Sequence, residues 1–584
     1  MTSCDSHIIR PQSRLERDTF GRLGETMLSN RMVRMMVGAA VAALSLSLGG
    51  WSPLAKSQAV AGQLEQKVDA LFASWTTTTP GCSVGVSSNG TIVLEKAYGM
   101  ADLEHDIRNA ADTIFEAGSV SKQFTAAAVL LLAREGKLSL DDPVRKYIPE
   151  LPDYGKPLLI RHMLNHTSGL RDWGDVEGIA GWPRTSRVYT HAHVLDIVGR
   201  QRALNFEPGT NWSYSNTGYN LAAILVARVS GQPFAEFCKA RIFQPLGMTR
   251  TSWRDDFRRV VKGRAIAYSG GGDAYRQNMP FENVHGNGGL LTTVGDLLRW
   301  NENFASPKVG DEEFLRIEQT PGHFNDGKQH DYALGLYVRT YKGLREVGHS
   351  GSTAGYRAYL TRYPDQHLSV AVLCNAANGQ AERYAHSVAD LYLADKIKTP
   401  VPPEAVKVPA KELEALAGMY RNTVTGTVDR FVVEKEALRV QNGPALVPVS
   451  TTRFTPATGS GNLQFDGKGG LRVVAGNGTV ETYERVQPVK PTADQLKALV
   501  GTYVSDEAEV TLQVIVEGSD LKVTRRPETK LTLTPLYMDA FQAPSLGLVR
   551  FRRDAGGRVV GLSVVADRVW DLRFMRRAGT RTTS

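Results

Sequence analysis

A proline-rich segment, Thr399-Pro400-Val401-Pro402-Pro403, divides the chain into two parts with different patterns. Before it, helical and strand-like periodicities alternate, whereas after it short strand-like runs are separated by turn residues. Closely spaced prolines favour a stiff, extended linker. A chain of 584 residues also exceeds what one hydrophobic core usually serves. We therefore predict several domains, with a linker at 399–410.

The part after the linker contains an internal repeat. Leu416-Ala417-Gly418-Met419-Tyr420 is echoed 83 residues later by Leu499-Val500-Gly501-Thr502-Tyr503, and the turn at 465–470 is echoed loosely by that at 553–557. Each copy is a short all-β unit with frequent turn signals, a pattern typical of small antiparallel barrels. We predict two β-barrel domains, at 411–487 and 488–584.

Residues 62–398 have strand patterns at both ends and helical patterns between them. A hairpin is predicted at 82–88 and 91–98 around Asn89-Gly90, a dipeptide that favours tight antiparallel turns. Further strands are predicted at 332–340, 346–348, 356–363 and 368–373, and an amphipathic helix closes the region at 381–392. This order predicts an α+β fold, with one sheet assembled from both ends and an α-rich insertion.

The first 61 residues are predicted to be a leader and signal peptide. Arg31 and Arg34 precede an apolar run at 35–48, and Ala59-Val60-Ala61 has the small residues of a cleavage site. The apolar run is short for a membrane span. We therefore expect cleavage after Ala61, a helix at 64–74 in the mature protein, and a periplasmic or secreted location.

The charge distribution argues against a nucleic-acid partner. Of the formal net charge of +9, residues 1–61 contribute seven Lys or Arg against four Asp or Glu, and the remaining excess is spread without a basic run. Such a surface predicts at most mild attraction to anionic polymers such as the cell wall. The oligomeric state stays open.

The cysteine and histidine patterns predict no metal or cofactor. Cys82, Cys238 and Cys374 are widely spaced and odd in number, which favours buried thiols over a disulfide framework. His162 and His166 are four residues apart but lack the glutamate of a zinc-protease motif, so a structural pair is favoured. No phosphate loop, dinucleotide fingerprint or Gly-x-Ser-x-Gly elbow occurs in the sequence.

Ser119 is the leading candidate for a nucleophile. We place it in the first turn of a helix, because the apolar residues that follow recur at helical spacing, and Lys122 lies three positions on, where its ammonium can reach the hydroxyl. The four letters Ser-x-x-Lys alone also suit an ordinary capped helix start, so the assignment depends on other segments. The helical face comprises Phe124, Ala127, Ala128, Leu131 and Leu132.

Two later segments supply partners for such a serine. Tyr214 is a candidate general base, because a phenol beside the Lys122 ammonium would be biased toward phenolate, and Asn216 can bind a substrate amide. In Val347-Gly348-His349-Ser350-Gly351-Ser352, small residues would let a substrate lie against the backbone, with the Ser352 N–H available to an oxyanion. His349 would add a proton donor or a positive charge beside Tyr214.

Ser119-Val120-Ser121-Lys122, Tyr214-Ser215-Asn216 and His349-Ser350-Gly351 resemble, in this order, the three motifs of the serine β-lactamase and penicillin-binding-protein superfamily. The tyrosine matches the subgroup of class C β-lactamases. The resemblance implies a β-lactamase/transpeptidase-like catalytic domain and acyl transfer through acyl-Ser119. It implies that Lys122 and Tyr214 share the base role, that Asn216 and Gly351 position the substrate, and that the Ser119 and Ser352 N–H groups form an oxyanion hole.

Two features bear on the substrate, which we expect to be a small peptide, amide or ester. His349 stands where such β-lactamases usually have Lys, which disfavours efficient β-lactam hydrolysis. The two β units resemble the architecture of bacterial D-aminopeptidases, in which a loop of the last barrel reaches the active site, but the corresponding region here, 543–547, is shorter. We predict a D-aminopeptidase or D-amino-acid amidase. The alternatives are a carboxylesterase, a D,D-carboxypeptidase or β-lactamase-like enzyme, and a penicillin-recognising binding protein without turnover.

Overall fold

A six-stranded antiparallel sheet is assembled from both ends of the region before the linker, as predicted. Its strands lie in the order Tyr337–Tyr341, Leu344–Thr353, Tyr356–Tyr363, Leu368–Cys374, Cys82–Ser88 and Thr91–Tyr98. The computed structural model describes residues 53–272, 274–398, 404–456 and 461–577. Strands described before the linker are β1 (Cys82–Ser88), β2 (Thr91–Tyr98), β3 (Met100–Asp102), β4 (Ile107–Arg108), β5 (Phe115–Glu116), β6 (Ser252–Trp253), β7 (Tyr268–Ser269), β8 (Arg276–Gln277), β9 (Leu290–Thr292), β10 (Tyr337–Tyr341), β11 (Leu344–Thr353), β12 (Tyr356–Tyr363) and β13 (Leu368–Cys374).

Helices cover both faces of this sheet and fill the insertion between its halves. The closing helix has its predicted bounds, whereas the first one begins earlier than predicted. They are α1 (Pro53–Leu71), α2 (Ser121–Arg134), α3 (Ile160–Leu164), α4 (Trp173–Ala180), α5 (His191–Gly199), α6 (Asn216–Ser230), α7 (Phe234–Cys238), α8 (Val294–Glu302), α9 (Glu312–Glu318) and α10 (Ala381–Tyr392).

Alternate residues of the central strand β13 enter two different cores. Val370 and Val372 pack with α1 and α10 on one face. Ala371 and Leu373 belong to the larger core on the other face, which includes α2 and α8. All of α2 from Ser121 to Leu132 is buried, so the helix that follows Ser119 is held on every side.

The cysteine prediction is wrong for two of the three residues. Cys82 of β1 and Cys374 of β13 are directly opposed in the sheet and form a disulfide, whereas Cys238 is a buried free thiol. The two positions are 292 residues apart in sequence, so only the pairing of β1 with β13 reveals that they meet.

Two eight-stranded antiparallel sheets follow the linker, the second of them a closed barrel. In the first, the order β16-β15-β14-β21-β20-β19-β18-β17 places β16 and β17 at the two edges, and a bridge between Arg439 and Ala445 brings these edges together. Its elements are α11 (Ala410–Leu416), β14 (Gly418–Asn422), β15 (Val428–Glu434), β16 (Ala437–Val440), β17 (Leu446–Pro448), β18 (Arg453–Pro456), β19 (Gly461–Phe465), β20 (Gly470–Ala475) and β21 (Val480–Val486). The second barrel has α12 (Ala493–Leu499), β22 (Gly501–Ser505), β23 (Val510–Glu517), β24 (Asp520–Arg525), β25 (Thr529–Tyr537), β26 (Ala540–Ala543), β27 (Gly547–Arg553), β28 (Val559–Ala566) and β29 (Val569–Arg576).

The repeated sequence motif forms the same joint in both barrels. Each copy connects a short helix to the first strand, and its tyrosine hydroxyl donates a hydrogen bond to a carbonyl at the end of that helix. Tyr420 bonds Leu416 at 3.0 Å, and Tyr503 bonds Leu499 at 2.7 Å. The motif therefore recurs because it fixes the same helix-to-strand connection in each barrel.

Several predictions fall on parts of the chain outside the described residues. Residues 1–52 of the leader, which include the apolar run at 35–48, and the prolines of the linker at 399–403 are among them. Among the helices that the structure describes, none has the length and hydropathy needed to cross a bilayer.

Candidate active site

Ser119 lies in a tight turn between strand β5 and helix α2. Gly118–Val120 forms one turn of 3-10 helix and α2 begins only at Ser121, so the serine precedes the α-helix instead of occupying its first turn. Gly118 has φ +51°, and a β-carbon there would lie 2.6 Å from the Ser352 nitrogen. Only glycine allows this close approach of β11 to the serine turn.

Lys122 is held by three oxygen atoms. Its Nζ lies 3.0 Å from Ser119 Oγ, 2.9 Å from Asn216 Oδ1 and 2.7 Å from the Asn287 carbonyl oxygen. The two carbonyl oxygens can only accept hydrogen bonds. In its neutral form the amine would therefore direct its two hydrogens at Asn216 and Asn287 and its lone pair at the Ser119 hydroxyl.

The protonation states differ from those expected from the sequence. Burial lowers the pKa of Lys122 well below that of an ordinary lysine, and Arg568 lowers it further. Burial raises the pKa of Tyr214, while its hydrogen bond to Ser119 acts in the opposite direction. The expected bias of Tyr214 toward phenolate is therefore wrong, because desolvation outweighs the neighbouring cation. The amine is the stronger candidate for the base, and Tyr214 is a neutral phenol.

His349 is neutral and has both ring nitrogens engaged. Burial lowers its pKa to about 3, and Lys122 contributes in the same direction. Nδ1 lies 2.6 Å from the Ser350 carbonyl oxygen, so it carries the proton, and Nε2 accepts from the Tyr332 hydroxyl at 2.9 Å. His349 therefore carries no positive charge near neutral pH. Its position favours a structural role, in which it supports the aromatic side chains around the site.

The other predicted site residues lie close to the serine, with one difference in orientation. Asn216 and Ser352 line the same cavity as Ser119, Tyr214 and His349. Gly351 does not line this cavity: a β-carbon there would lie 2.0 Å from the Ala117 carbonyl oxygen. Its position favours a spacing role, in which a missing side chain allows β11 to contact the serine turn.

The cavity has a volume of about 380 Å³ and a charged wall. Arg254 makes two hydrogen bonds to Glu116, at 2.8 and 3.1 Å, and Arg184 binds Glu282. These pairs are largely buried and mutually neutralised. The volume lies near the lower end of the range for small-molecule sites, which suits short substrates.

Three residues of the site were missed by the sequence reasoning. Asn287 holds Lys122 through its carbonyl, and the glycines that follow it mark an irregular backbone as the sequence signal. Asp172 accepts from the Asn216 amide at 2.7 Å. Arg568 reaches the cavity from the turn between β28 and β29, and no local motif distinguishes it from other arginines.

The barrel segment that reaches the site is not the one considered from the sequence. Residues 543–547 form a tight turn between β26 and β27, in which Ala543 pairs with Gly547, and the turn does not line the cavity. The β28–β29 turn does so instead. Its Arg568 carbonyl accepts from the Asp172 amide at 3.3 Å and from Asn205 Nδ2 at 3.0 Å.

Comparison with known families agrees with this geometry. The family model described as Beta-lactamase matches residues 62–394, more than half of the chain. The chain belongs to this family. The region matched contains Ser119, Lys122, Tyr214 and His349, and the protein is a serine hydrolase related to β-lactamases and penicillin-binding proteins.

Curated relatives extend beyond the family domain. The chain is 26% identical over 511 residues to a D-aminopeptidase of Brucella anthropi, covering 83% of this chain and 93% of the relative. It is 29% identical over 402 residues to penicillin-binding protein 4* of Bacillus subtilis, covering 64% of this chain and 87% of the relative. Among solved structures, an octameric penicillin-binding protein homologue from Pyrococcus abyssi shares the fold, with a TM-score of 0.51, 24% identity and coverage of 79% of this chain and 97% of that one.

Proposed function

We propose that this protein hydrolyses amide bonds of short substrates as a D-aminopeptidase or D-amino-acid amidase, through an acyl-Ser119 intermediate. The observation that carries the proposal is the buried Lys122 amine, whose Nζ lies 3.0 Å from Ser119 Oγ beside a small cavity. The similarity to D-aminopeptidases over 83% of the chain, including the barrels, supports this substrate class.

In the proposed reaction, the Lys122 amine takes the Ser119 proton as Oγ attacks the substrate carbonyl carbon. The N–H groups of Ser119 and Ser352 stabilise the oxyanion. When the C–N bond breaks, the leaving amine takes the proton from Lys122 through the Tyr214 hydroxyl. Water then attacks the acyl ester, releasing the acid and restoring the Ser119 hydroxyl.

A panel of chromogenic substrates tests this function. Purified protein is incubated with D-alanine p-nitroanilide, L-alanine p-nitroanilide, p-nitrophenyl butyrate and a chromogenic cephalosporin, with Ser119→Ala as the matched inactive variant. We expect cleavage of the D-amide that disappears in Ser119→Ala, together with a transient acyl adduct in intact-mass spectra. Ester turnover without any D-amide cleavage would identify a carboxylesterase, and a stable adduct without turnover a binding protein.

We also propose that the protein acts in the periplasm or outside the cell. A disulfide between Cys82 and Cys374 suits an oxidising compartment, which supports export. Cell fractionation followed by N-terminal sequencing tests the proposal. The expected mature protein begins at Gly62 and is absent from the cytoplasmic fraction.

A further inference from the structure

The second barrel contributes an arginine to the catalytic cavity. The turn that carries it is fixed by its backbone: the Arg568 amide donates to Asp175 at 3.1 Å, and the Trp570 amide donates to Asn205 at 3.0 Å. The guanidinium carbon lies 5.1 Å from the centre of the Tyr214 ring, with Lys122 Nζ 4.8 Å from the same centre. The backbone thus places Arg568 beside the reacting groups without using its side chain.

Arg568 differs from the other arginines of the cavity in its bonding. Arg184 and Arg254 donate to buried glutamates. Among the residues that the structure describes, the Arg568 guanidinium makes no hydrogen bond and only two long ion pairs, with Asp567 at 3.5 Å and with Asp172 at 3.9 Å. Its side chain is 32% exposed, so the donors are accessible from the cavity.

A planar guanidinium whose donors make no hydrogen bond suits a planar anion that accepts two parallel hydrogen bonds, and a carboxylate has this geometry. In a cavity of about 380 Å³, such a carboxylate would have to belong to a small substrate and lie close to its scissile bond. We propose that Arg568 is a specificity-determining residue that binds the free C-terminal carboxylate of short peptides. The enzyme then prefers these peptides over their C-terminal amides. This inference rests on the proposed amide hydrolysis at Ser119.

The test compares two substrates that differ only in this charge, D-alanyl-glycine and D-alanyl-glycinamide. Release of D-alanine gives kcat/KM for each at a pH on the activity plateau. We expect the ratio of acid to amide to exceed one in the wild type and to fall about tenfold to a hundredfold in Arg568→Gln, the range for a hydrogen bond to a charged group. Arg568→Lys retains the positive charge but not the two parallel N–H donors, so its ratio of acid to amide should lie between those of the wild type and Arg568→Gln.

Arg558→Gln is the matched control, since this exposed arginine lies in the turn before β28 of the same barrel and binds Asp554. Its ratio should equal that of the wild type, and thermal unfolding verifies that each variant is folded. A parallel fall for both substrates in Arg568→Gln would show that the residue acts only through Lys122, and an unchanged ratio would exclude the contact; either result overturns the inference. A wild type that cleaves both substrates but does not prefer the acid also refutes it, whereas cleavage of neither refutes the proposed function itself.

Discussion

The buried lysine decides how Ser119 can be activated. Burial disfavours the charged form of the Lys122 amine and lowers its pKa, and the same burial makes the phenol of Tyr214 harder to ionise. The two groups therefore differ in their proposed roles, with Lys122 as the base and Tyr214 as a neutral donor. This division can be measured.

We expect kcat/KM to rise with pH through the lowered pKa of Lys122 and to level off well below pH 10, since the base acts only when neutral. Lys122→Ala should remove most activity. Tyr214→Phe should lower the plateau by about a hundredfold to ten-thousandfold without moving the midpoint of the rise, because a proton donor is lost and the base is kept. Full pH profiles of kcat/KM measure both effects.

Tyr392→Phe, in α10 outside the cavity, is the control for the loss of a hydroxyl and should behave as the wild type. If Tyr214→Phe abolished the acid limb of the profile while Lys122→Ala retained it, the phenol would be the base and the roles given above would be reversed.

The absence of a side chain at Gly351 is also a specific requirement. A β-carbon at this position would lie 2.0 Å from the Ala117 carbonyl oxygen and force β11 away from the serine turn. We expect Gly351→Ala to lose about 1–3 kcal/mol of unfolding free energy and roughly a hundredfold in kcat/KM. Chemical denaturation and kinetics with the D-amide substrate measure the two losses.

Gly178→Ala provides the comparison, because nothing lies within 4 Å of an added β-carbon at that helical position. It should be neutral or slightly stabilising. If Gly351→Ala and Gly178→Ala had the same unfolding free energy and the same kcat/KM, β11 would be able to move away from the serine turn more easily than its packing indicates.

At this scale, motif spacing predicted which side chains gather around Ser119 but not their charge states. Ser119, Lys122, Tyr214 and Asn216 could be found because each lies in a short local pattern. The protonation of Tyr214 and His349 could not, since it depends on burial by segments far away in sequence. Arg568 was missed for the same reason.

Among the secondary elements, we expect the contact between α4 and the β28–β29 turn to depend on pH. Burial raises the pKa of Asp175 to about 6, and the nearby Asp172 carboxylate acts in the same direction. A raised pKa means that the folded protein binds this proton more tightly than the unfolded chain does. The stability from this group is therefore full below its ordinary value of 3.8 and is lost as the pH rises through about 6.

Asp175→Asn should remove this dependence while keeping an oxygen to accept from the Arg568 amide. We expect the variant to be more stable than the wild type at pH 8, by on the order of 1–3 kcal/mol, and equal to it below pH 4. Urea unfolding at both pH values measures the difference, with Asp153→Asn at an exposed position as the control. If the wild type were more stable than Asp175→Asn at pH 8, the attraction between the Asp175 carboxylate and Arg568 would outweigh the cost of burying that carboxylate.

Most elements could be predicted from periodicity, and the exceptions have physical causes. The hairpin β1–β2, strand β12 and helix α10 were located at their observed bounds because alternation and turn residues are strong there. The strand expected at 332–340 is only Tyr337–Tyr341, since Gly335 has φ +80° and a β-carbon on it would lie 2.6 Å from the Gln123 amide nitrogen. Such a tertiary contact leaves no periodic signal.

At the scale of the whole molecule, a buried ion pair joins the α+β domain to the second barrel. Arg171 has a side chain only 1% exposed, and its Nη1 donates to Glu507 at 2.7 Å and to Gln201 at 3.1 Å. Nη2 donates to the Asp571 carbonyl oxygen at 2.5 Å. The barrel is thus bound by specific, desolvated contacts close to the turn that enters the cavity.

Removing this arginine should weaken the whole assembly. Arg171→Ala leaves the largely buried Glu507 carboxylate without its cation, and we expect a loss of about 3–5 kcal/mol in unfolding free energy. The double variant Arg171→Ala, Glu507→Ala should cost less than the sum of the single variants, because the unpaired charge is absent. Denaturation of all three variants measures the coupling.

Arg202 and Asp506 form an exposed pair at the same interface, with side chains 75% and 77% exposed and 3.6 Å apart. Arg202→Ala should change stability by no more than the experimental error. If the losses of unfolding free energy in Arg171→Ala and Glu507→Ala simply added up in the double variant, the barrel would be held by its apolar contacts alone.

The bond between Cys82 and Cys374 encloses most of the α+β domain in a single covalent ring. A protease that cuts once at a surface loop between these cysteines therefore releases no fragment, and the nicked protein migrates as one species until a reductant is added. Both sulfur atoms are buried, so reduction requires the sheet to open. The protein thus tolerates internal cleavage in a way that an unlinked chain of the same fold does not.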